Sequence, residues 1–578
     1  MKLAKYAESP APRYVAWGSY ALAAFVGVAF LFRGYLIFHA TYDPDEFFTL
    51  GSAWRIGQGQ LPYLDYIDGH PPVLHALCGP ALHKIYSLPL SSLGERRDFI
   101  DWFRWLHAAQ ALAFAFAMFV LCRRLFDAET AWWTLAIQNA FFFFLRTTTH
   151  VRPDLPGLLL FTAAAIVLAG GGKGRAPSWR RLAAAAAVAG FATAVHSATV
   201  FLVLGAGAWL FFVKREAGST RNGLLAGVGF VAISLAAFLA SYAPVFGTRT
   251  VEGWVAGARM FPFYRIYLGG LENGSWEAFK TIWKESPLPW ALVLLALIPL
   301  HVRPKKYVAK EIWDFLPLFL ADAGLLFIIV HDRVFAQHYL LFALFGSAVA
   351  ARLIRRGVQG VERKITPQAP GIVEFAAIVV FIAIALGFSV NCTAKMREQD
   401  RLAAQELAVA GLPRPDKDGV VDADTALWWI TNRKEFFNSF RFRPKAQRAA
   451  QVRFLLTNSQ PADIVYSDWL NPPFRRLPAA VHHGLALTKY PASSALREAP
   501  KLLARLQRFD PYFSLEDADL DRSMIRLFAG ARPELILLDG SMARLFCESD
   551  EFRYWLTQRY RFMFQPEGAC FFARRISD

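Results

Sequence analysis

The sequence predicts a polytopic α-helical membrane protein of about eleven spans, followed by a soluble α/β domain on the external side. The first observation is composition: 55% of the 578 residues are hydrophobic and 15% are aromatic, which is too apolar for a soluble chain of this length. The second is that lysine and arginine cluster in short loops between long apolar runs. The third is a change near Asn391, after which charged residues and prolines become frequent.

The apolar runs predict where each span lies. Residues 15–38 form a run that is too long for a signal-peptide core and lacks a small-residue cleavage site, so it predicts an uncleaved signal anchor with a cytoplasmic N-terminus. The basic loops between the later runs then fall on one side of the membrane, as the positive-inside rule requires. Further spans of roughly 20 residues are predicted at 102–122, 128–147, 154–170, 181–196, 197–213, 223–246, 286–301, 312–330, 335–354 and 371–390.

Charge and cysteine content argue against two other classes of protein. The formal net charge is +17, but the basic residues are dispersed among predicted cytoplasmic loops, so they report membrane topology and not a nucleic-acid partner. The five cysteines show no zinc-ligand spacing. A single disulfide between Cys547 and Cys570 could form.

The chain divides into a transmembrane domain over 1–390 and a second domain over 391–578, which is long enough to bury a core of its own. Short strand-like runs alternate with helical stretches in the second domain, so an α/β fold is predicted. Because the N-terminus is cytoplasmic and the number of spans is odd, this domain is expected outside, in a periplasm or its equivalent. The strand-like runs are "ADIVYSDWL", "PELILLDGS" and "ACFFARRI".

Three acids follow the first span in "TYDPDEFFTL": Asp43, Asp45 and Glu46. Two of them have a structural explanation, because Asp43 is a good helix N-cap and Glu46, three residues later, completes a capping box. Pro44 suits the first helical position, and the apolar residues that follow predict an interfacial amphipathic helix. Asp45 has no task in capping and is therefore the candidate functional acid.

Later external turns carry further ionisable side chains. Such groups are costly to keep near hydrocarbon, so their concentration on one face predicts an external active site with anionic and cationic halves. Each also has a structural alternative, since Asp154 could cap the next span and His196 could be a helix-packing histidine. The residues are Arg146, His150, Arg152, Asp154, His196, His331, Asp332, Arg333 and His338.

The order of these motifs resembles that of the GT-C superfamily, the glycosyltransferases that use polyprenyl-phosphate sugars. The likeness is greatest to the protein O-mannosyltransferase and lipid A aminoarabinose transferase type, and it covers roughly residues 15–360. The matching residues are the pair Asp45-Glu46 that opens an amphipathic helix, Gly59-Gln60-Leu61-Pro62-Tyr63, Asp65, Pro71-Pro72 and, in the second external turn, Asp154.

The resemblance implies transfer of a sugar from a polyprenyl-phosphate donor to an acceptor hydroxyl, with inversion at the anomeric carbon. Asp45 would be the base that takes the hydroxyl proton, and Glu46 or Asp154 would orient the acceptor or tune that base. Cationic side chains would stabilise the departing phosphate. The candidates for phosphate contacts are His70, Arg152, His196, Arg333 and His338.

The chain departs from the family pattern at two cationic positions. Members usually carry a lysine directly before the Pro-Pro pair and often another at a later external turn, where this chain has His70 and His196. Histidine can donate to a phosphate, but its charge depends on pH. The carboxylates could instead hold a divalent cation; no ligand set decides this, so no metal site is assigned.

The expected partners are a polyprenyl-phosphate-linked sugar donor, a lipid, glycan or protein acceptor, and membrane lipids, with no nucleic acid. The expected location is the inner (cytoplasmic) membrane, with the active site and C-terminal domain on the periplasmic side. One alternative is a transporter of lipid-linked sugars, which would predict repeated halves and charges near mid-membrane. The other is a non-catalytic relative that binds glycan or assembles a cell-envelope complex.

Overall fold

The fold comes from a computed structural model of the chain. Two compact units emerge: the first contains Met1–Phe38, Arg104–Ser241 and Asn273–Ala394, and the second contains His39–Phe103, Tyr242–Glu272 and Lys395–Asp578. The structure describes residues 11–64, 70–86, 99–170, 176–258, 275–302, 312–330, 336–365, 371–409, 413–433, 445–460, 463–467 and 520–576.

The N-terminal two thirds of the chain is helical wherever it forms regular structure among the described residues. Short 3₁₀ turns occur at Gly247–Arg249, Ile312–Phe315 and Ala336–Tyr339. The α-helices are α1 (Ala11–His39), α2 (Pro44–Gly57), α3 (Val73–Tyr86), α4 (Phe99–Leu125), α5 (Ala128–Ala140), α6 (Phe142–Thr147), α7 (Asp154–Ala169), α8 (Trp179–Val195), α9 (Thr199–Glu216), α10 (Thr220–Ala240), α11 (Ala243–Phe246), α12 (Ser275–Glu285), α13 (Pro287–Val302), α14 (Leu316–Val330), α15 (Leu340–Ile365) and α16 (Ile372–Val409).

Helices and short strands alternate after α16. The elements are β1 (Val420–Val421), α17 (Ala423–Asn432), α18 (Lys445–Thr457), β2 (Val465–Tyr466), α19 (Leu520–Ala531), β3 (Leu535–Leu537), α20 (Gly540–Glu548), α21 (Asp550–Thr557), β4 (Tyr560–Gln565) and β5 (Cys570–Arg575). Strands β2, β3 and β5 lie within the three runs that the sequence predicts as strands, whereas β1 and β4 are not predicted.

The first unit is a packed bundle whose helices approach each other through small residues. A Cβ built on Gly190 of α8 would lie 2.1 Å from the carbonyl oxygen of Ser234 in α10, and one on Gly205 of α9 would lie 2.7 Å from that of Phe319 in α14. Glycine permits such close backbone approach, which compensates for the weak hydrophobic drive between helices in lipid. Ala185 and Ala186, within the alanine run of α8, are buried in the same bundle.

Several helices are long and apolar enough to cross a bilayer, as expected for a membrane protein. Within the described residues five helices meet that test, and the pair α12–α13, bent by 114°, would make six. An α-helix lies in each of the eleven predicted segments, but α7, α8 and α14 have only 16, 17 and 15 residues. These are shorter than the roughly 20 residues that a 30 Å core requires, so the count of eleven spans stays a prediction.

The segment 128–147, predicted as one span, is two helices with a break at Phe141. The backbone of Phe141 is extended (φ −76°, ψ 108°), so α5 ends before it and α6 begins after it. The backbone N–H of Phe142 donates to the hydroxyl of Ser286 at 2.8 Å instead of to a carbonyl of its own helix. The partner that permits the break is 144 residues away, which explains why the local sequence does not reveal it.

The second unit contains a five-stranded sheet in the order β1-β4-β5-β3-β2. Strand β2 runs parallel to β3, and the other three pairs are antiparallel. The hairpin β4–β5 extends from the pair Tyr560–Arg575 to the pair Gln565–Cys570. Helices of the C-terminal region pack aromatic side chains such as Trp429, Phe546 and Trp555 into the same core as the sheet.

Two features bear on the division into domains at 390/391, which stays a prediction. Residues 390 and 391 both lie inside α16, which continues to Val409, and the second unit joins the C-terminal region to the segment His39–Phe103. This grouping reflects packing between segments distant in sequence. Cys547 and Cys570 are not joined by a disulfide in the structure.

The glycine contacts of the first unit yield a test of helix packing. Gly190→Ala should destabilise the protein by about 1–3 kcal/mol, because the new methyl group overpacks the α8–α10 contact. Gly229→Ala is the matched control, since Gly229 also lies in a helix and no described atom lies within 4 Å of its built Cβ. Thermal unfolding of the full chain in detergent checks the ranking, and equal stability of the two variants would contradict the packing.

Candidate functional site

The start of α2 is a capping box built from two of the three acids. Asp43 is the N-cap, and its carboxylate accepts a hydrogen bond from the backbone N–H of Asp45 at 2.9 Å. The backbone N–H of Asp43 in turn donates to Glu46 Oε2 at 2.8 Å. The capping predicted for Asp43 and Glu46 is thereby confirmed, and it places Glu46 at 0% exposure. Glu46 is a structural residue first; its proposed second role in tuning Asp45 stays a prediction.

Asp45 occupies the second helical position, between the two capping acids. Its carboxylate takes no part in the capping box, and its side chain is half-buried where that of Glu46 is fully buried. The partial positive charge of a helix N-terminus favours an ionised carboxylate at this position. Tyr42 and Phe47, which flank the acids, pack edge to face with ring centroids 5.8 Å apart. This contact is a hydrophobic staple that fixes the angle at which the chain enters α2.

Tyr63 has a strained backbone and contacts the residue that precedes the Pro-Pro pair. Tyr63 has φ +67°, in the left-handed region that costs a non-glycine residue about 1 kcal/mol or more. The hydroxyl of Tyr63 donates to the carbonyl oxygen of His70 at 2.7 Å. Its buried ring stacks on that of Phe246, with the ring centroids 6.3 Å apart. His70 is thereby fixed directly before Pro71. The motif residue Asp65 lies outside the described residues.

The first unit brings three of the predicted residues into one buried cluster. Arg152 Nε donates to Asp154 Oδ2 at 3.0 Å, and His196 Nε2 lies 3.5 Å from Asp154 Oδ1. Arg152, Asp154 and His196 are 5%, 3% and 7% exposed, so the carboxylate neutralises bases that would otherwise be costly to bury. His338 lies close enough for its positive form to attract the same carboxylate.

Two residues that the sequence does not single out position this cluster. His107 of α4 is buried, and its Nε2 atom lies 2.8 Å from the carbonyl oxygen and 3.0 Å from the backbone nitrogen of Arg152. Gly157 lies in the first turn of α7, where a Cβ would come within 2.6 Å of the Cβ of His196. The isolated glycine near a helix start is a signal that could have indicated close approach, whereas His107 has no distinguishing pattern within its apolar run.

Arg33 of α1 is a further residue missed by the sequence analysis, although it is a cation inside the first predicted span. It is 1% exposed, and it donates to Thr148 Oγ1 at 3.0 Å and to Asn139 Oδ1 at 2.8 Å. Its guanidinium also lies 5.1 Å from the ring centroid of Phe144. Neutral acceptors and an aromatic face therefore stabilise the buried charge, and the bond to Thr148 ties α1 to the turn that leads to Arg152.

The predicted site residues thus form two groups within the described parts of the chain. Asp45, Glu46 and His70 belong to the second unit, and Arg152, Asp154, His196 and His338 belong to the first. Arg333 lies outside the described residues. Arg146 pairs with Glu285 at 3.1 Å, which gives it a structural role. Among the described residues there is no group of three or more His, Cys, Asp or Glu side chains that could hold a metal ion.

No protein-family model and no curated protein matches the chain. Among solved structures, it is similar to the archaeal oligosaccharyltransferase AglB from Archaeoglobus fulgidus, in complex with an inhibitory peptide and a dolichol-phosphate. The identity is 11% and the TM-score 0.47, over 96% of this chain and 74% of that chain. It is also similar to ArnT from Cupriavidus metallidurans, bound to undecaprenyl phosphate, with 16% identity and a TM-score of 0.42 over 65% of this chain and 72% of that chain.

Both of these proteins are GT-C glycosyltransferases, the class that the sequence motifs resemble. Identities of 11–16% and TM-scores below 0.5 mark a distant likeness. The function of this chain is therefore inferred from the arrangement of its own residues.

The capping box makes a prediction that separates the charge of Asp43 from its hydrogen bonds. Asp43→Ala should destabilise α2 by about 1 kcal/mol, because the helix N-terminus loses its side-chain acceptor, whereas Asp43→Asn should change little, since asparagine caps as well as aspartate. Hydrogen exchange of the α2 amides in the full chain measures both values. If the asparagine variant were destabilised as much as the alanine variant, negative charge and not capping would be the task of Asp43.

Proposed function

We propose that the chain is an inverting membrane glycosyltransferase that moves a sugar from a polyprenyl-phosphate donor to an acceptor hydroxyl on the external face. The observation that carries the proposal is the division of labour among the three acids at the start of α2. Capping employs the carboxylates of Asp43 and Glu46, and the half-buried carboxylate of Asp45 lies between them without a part in that box. An acid on a rigid helix start is the arrangement that a positioned general base requires.

In the proposed reaction the oxygen of the acceptor hydroxyl attacks the anomeric carbon of the donor sugar. Asp45 takes the proton of that hydroxyl during the attack. The bond between that carbon and the phosphate oxygen breaks, and the polyprenyl phosphate leaves with the bonding electrons. One carboxylate base suffices for an inverting displacement, because no covalent glycosyl-enzyme forms. Negative charge grows on the departing phosphate, so cationic donors near it would lower the barrier.

The candidate donors for that phosphate differ in how permanent their charge is. Arg152 is always ionised and its planar fork suits phosphate oxygens, but its Nε–H group is engaged by Asp154. We therefore assign Asp154 the task of orienting Arg152 and His196. His70, held through its carbonyl by Tyr63, would supply a donor whose charge varies with pH. His338, and Arg333 from sequence alone, complete the proposed set.

The proposed location follows from the charges of the loops. Basic loops on one side would place the N-terminus in the cytoplasm, and the acids and histidines described above would then face the periplasm or its equivalent. An acceptor of lipid, glycan or protein would approach from that side. The donor would enter from the bilayer because its polyprenyl chain is apolar.

Replacement of the proposed base tests the function directly. Asp45→Asn should lower kcat/KM by about 10²–10⁴-fold, because the amide cannot accept the hydroxyl proton. Asp43→Asn is the matched control, because it removes one negative charge two residues from Asp45 and retains the helix cap. This variant should have the turnover of the wild type. The assay is transfer by the purified full chain from a polyprenyl-phosphate sugar to an acceptor.

The outcomes separate two alternatives. Full turnover by folded Asp45→Asn protein would show that Asp45 is not the base. A wild-type protein that transfers no sugar from any donor tested, yet co-purifies with glycan detected by mass spectrometry, would favour the non-catalytic alternative.

The histidines at the positions of family lysines predict a pH dependence. Protonated histidine favours phosphate binding, and the charge is lost as pH rises between about 5 and 8, so donor KM should increase across that range. His70→Lys keeps its charge and should weaken the increase, whereas His70→Asn should have a high donor KM at every pH. Steady-state kinetics across that pH range distinguish these variants, and a wild-type KM independent of pH would exclude a charged histidine from donor binding.

A further inference from the structure

A lysine from the C-terminal region lies beside the entry to α2. Lys445 is the first residue of α18, and its Nζ donates to both carboxylate oxygens of Asp101, at 2.8 and 2.7 Å. The same Nζ lies 5.3 Å from the ring centroid of Tyr42. The side chains of Lys445 and Asp101 are only 11% and 14% exposed, and Tyr42 is 1% exposed. Residues 344 positions apart therefore meet in a largely dry environment within the second unit.

The position of this lysine in its own helix is unfavourable. The N-terminus of a helix carries partial positive charge and disfavours a cation in the first turn. Asp101, by contrast, lies in the first turn of α4, where an acid is favoured. The bidentate contact with Asp101 offsets the unfavourable placement of Lys445, and the pair is worth more than a surface ion pair because little solvent screens it.

The contact with Tyr42 connects this ion pair to the acids of α2. Tyr42 immediately precedes the N-cap Asp43, and its ring packs against Phe47 one turn into the helix. A cation over the face of a buried ring holds that ring in place. The ring in turn limits how the backbone enters the capping box, and Asp45 lies two residues further along.

We propose that Lys445 is a positioning residue: through Asp101 and the ring of Tyr42 it holds the N-terminus of α2, and so the carboxylate of Asp45, in a fixed orientation. Its consequence for catalysis rests on the proposed function. Because Asp101 neutralises its charge, Lys445 is not a substitute for the family lysines as a phosphate ligand. The C-terminal region would then act on the candidate base mechanically, by restraining the helix that carries it.

The first measurement needs no substrate. Lys445→Met keeps the apolar stem and removes the charge, and it should speed hydrogen exchange of the α2 amides at residues 46–50 in the full chain by about tenfold. Lys445→Arg restores a cation and should return exchange to within about twofold of the wild type. Lys417→Met is the matched control, since Lys417 is an exposed lysine of the same unit and should leave α2 unchanged.

The second measurement applies to turnover. Lys445→Met should lower kcat by about tenfold with little change in donor KM, because the donor contacts stay in place while the base is less well oriented. If Lys445→Met does not fold, Tyr42→Leu replaces it: leucine can still pack on Phe47 and leaves the ion pair, but it removes the aromatic face. Tyr42→Leu should give the same increase in exchange, and Tyr42→Phe should not.

The outcomes distinguish failure of the positioning role from failure of the proposed function. Unchanged α2 exchange in folded Lys445→Met or Tyr42→Leu protein overturns the positioning role, whatever the activity. Faster exchange with unchanged kcat also overturns it, because α2 would then be restrained without effect on the base. If the wild type transfers no sugar at all, the proposed function fails, and the exchange data alone decide whether Lys445 restrains α2.

Discussion

The first turn of a helix leaves backbone N–H groups without partners, and this constraint decides the chemistry at the start of α2. Asp43 and Glu46 satisfy that need reciprocally, each serving the backbone of the other. Both side chains therefore have a structural role in capping α2. Asp45 lies at the same helix end outside this capping box, and its backbone is immobilised by its neighbours. The rigidity that catalysis would require is thus a by-product of ordinary capping.

A second constraint is the cost of charge in a dry interior. The first unit buries Arg152 and His196 around one carboxylate, so that opposite charges and hydrogen bonds offset desolvation. Arg33 has no carboxylate among these contacts. Its guanidinium donates to an amide, a hydroxyl and a backbone carbonyl oxygen, and it lies over aromatic rings. A permanently charged guanidinium held by neutral groups keeps a positive field near the turn at Thr148, which leads to Arg152.

Local patterns were predictable from sequence, and contacts between distant segments were not. The capping box needs only the spacing of Asp43 and Glu46, and the turn at His196 follows from two adjacent apolar runs. The division of 128–147 into α5 and α6 depends on Ser286, and the position of Arg152 depends on His107 of another helix. The strand order β1-β4-β5-β3-β2 likewise depends on pairings that cross most of the C-terminal region. The sequence therefore indicates which residues are unusual, while their partners emerge only from the fold.

Histidine at positions 70 and 196 has a physical consequence that the surrounding residues modify. A lysine carries its charge throughout the neutral range, whereas a histidine near a carboxylate retains its proton to higher pH than one that is isolated. The ring of His196 lies beside Asp154, whose carboxylate orients it. His70 is fixed instead through its backbone carbonyl, which orients the residue without adding negative charge at that contact. The two histidines are therefore held differently: His196 lies against a carboxylate through its ring, and His70 is bound through its backbone carbonyl.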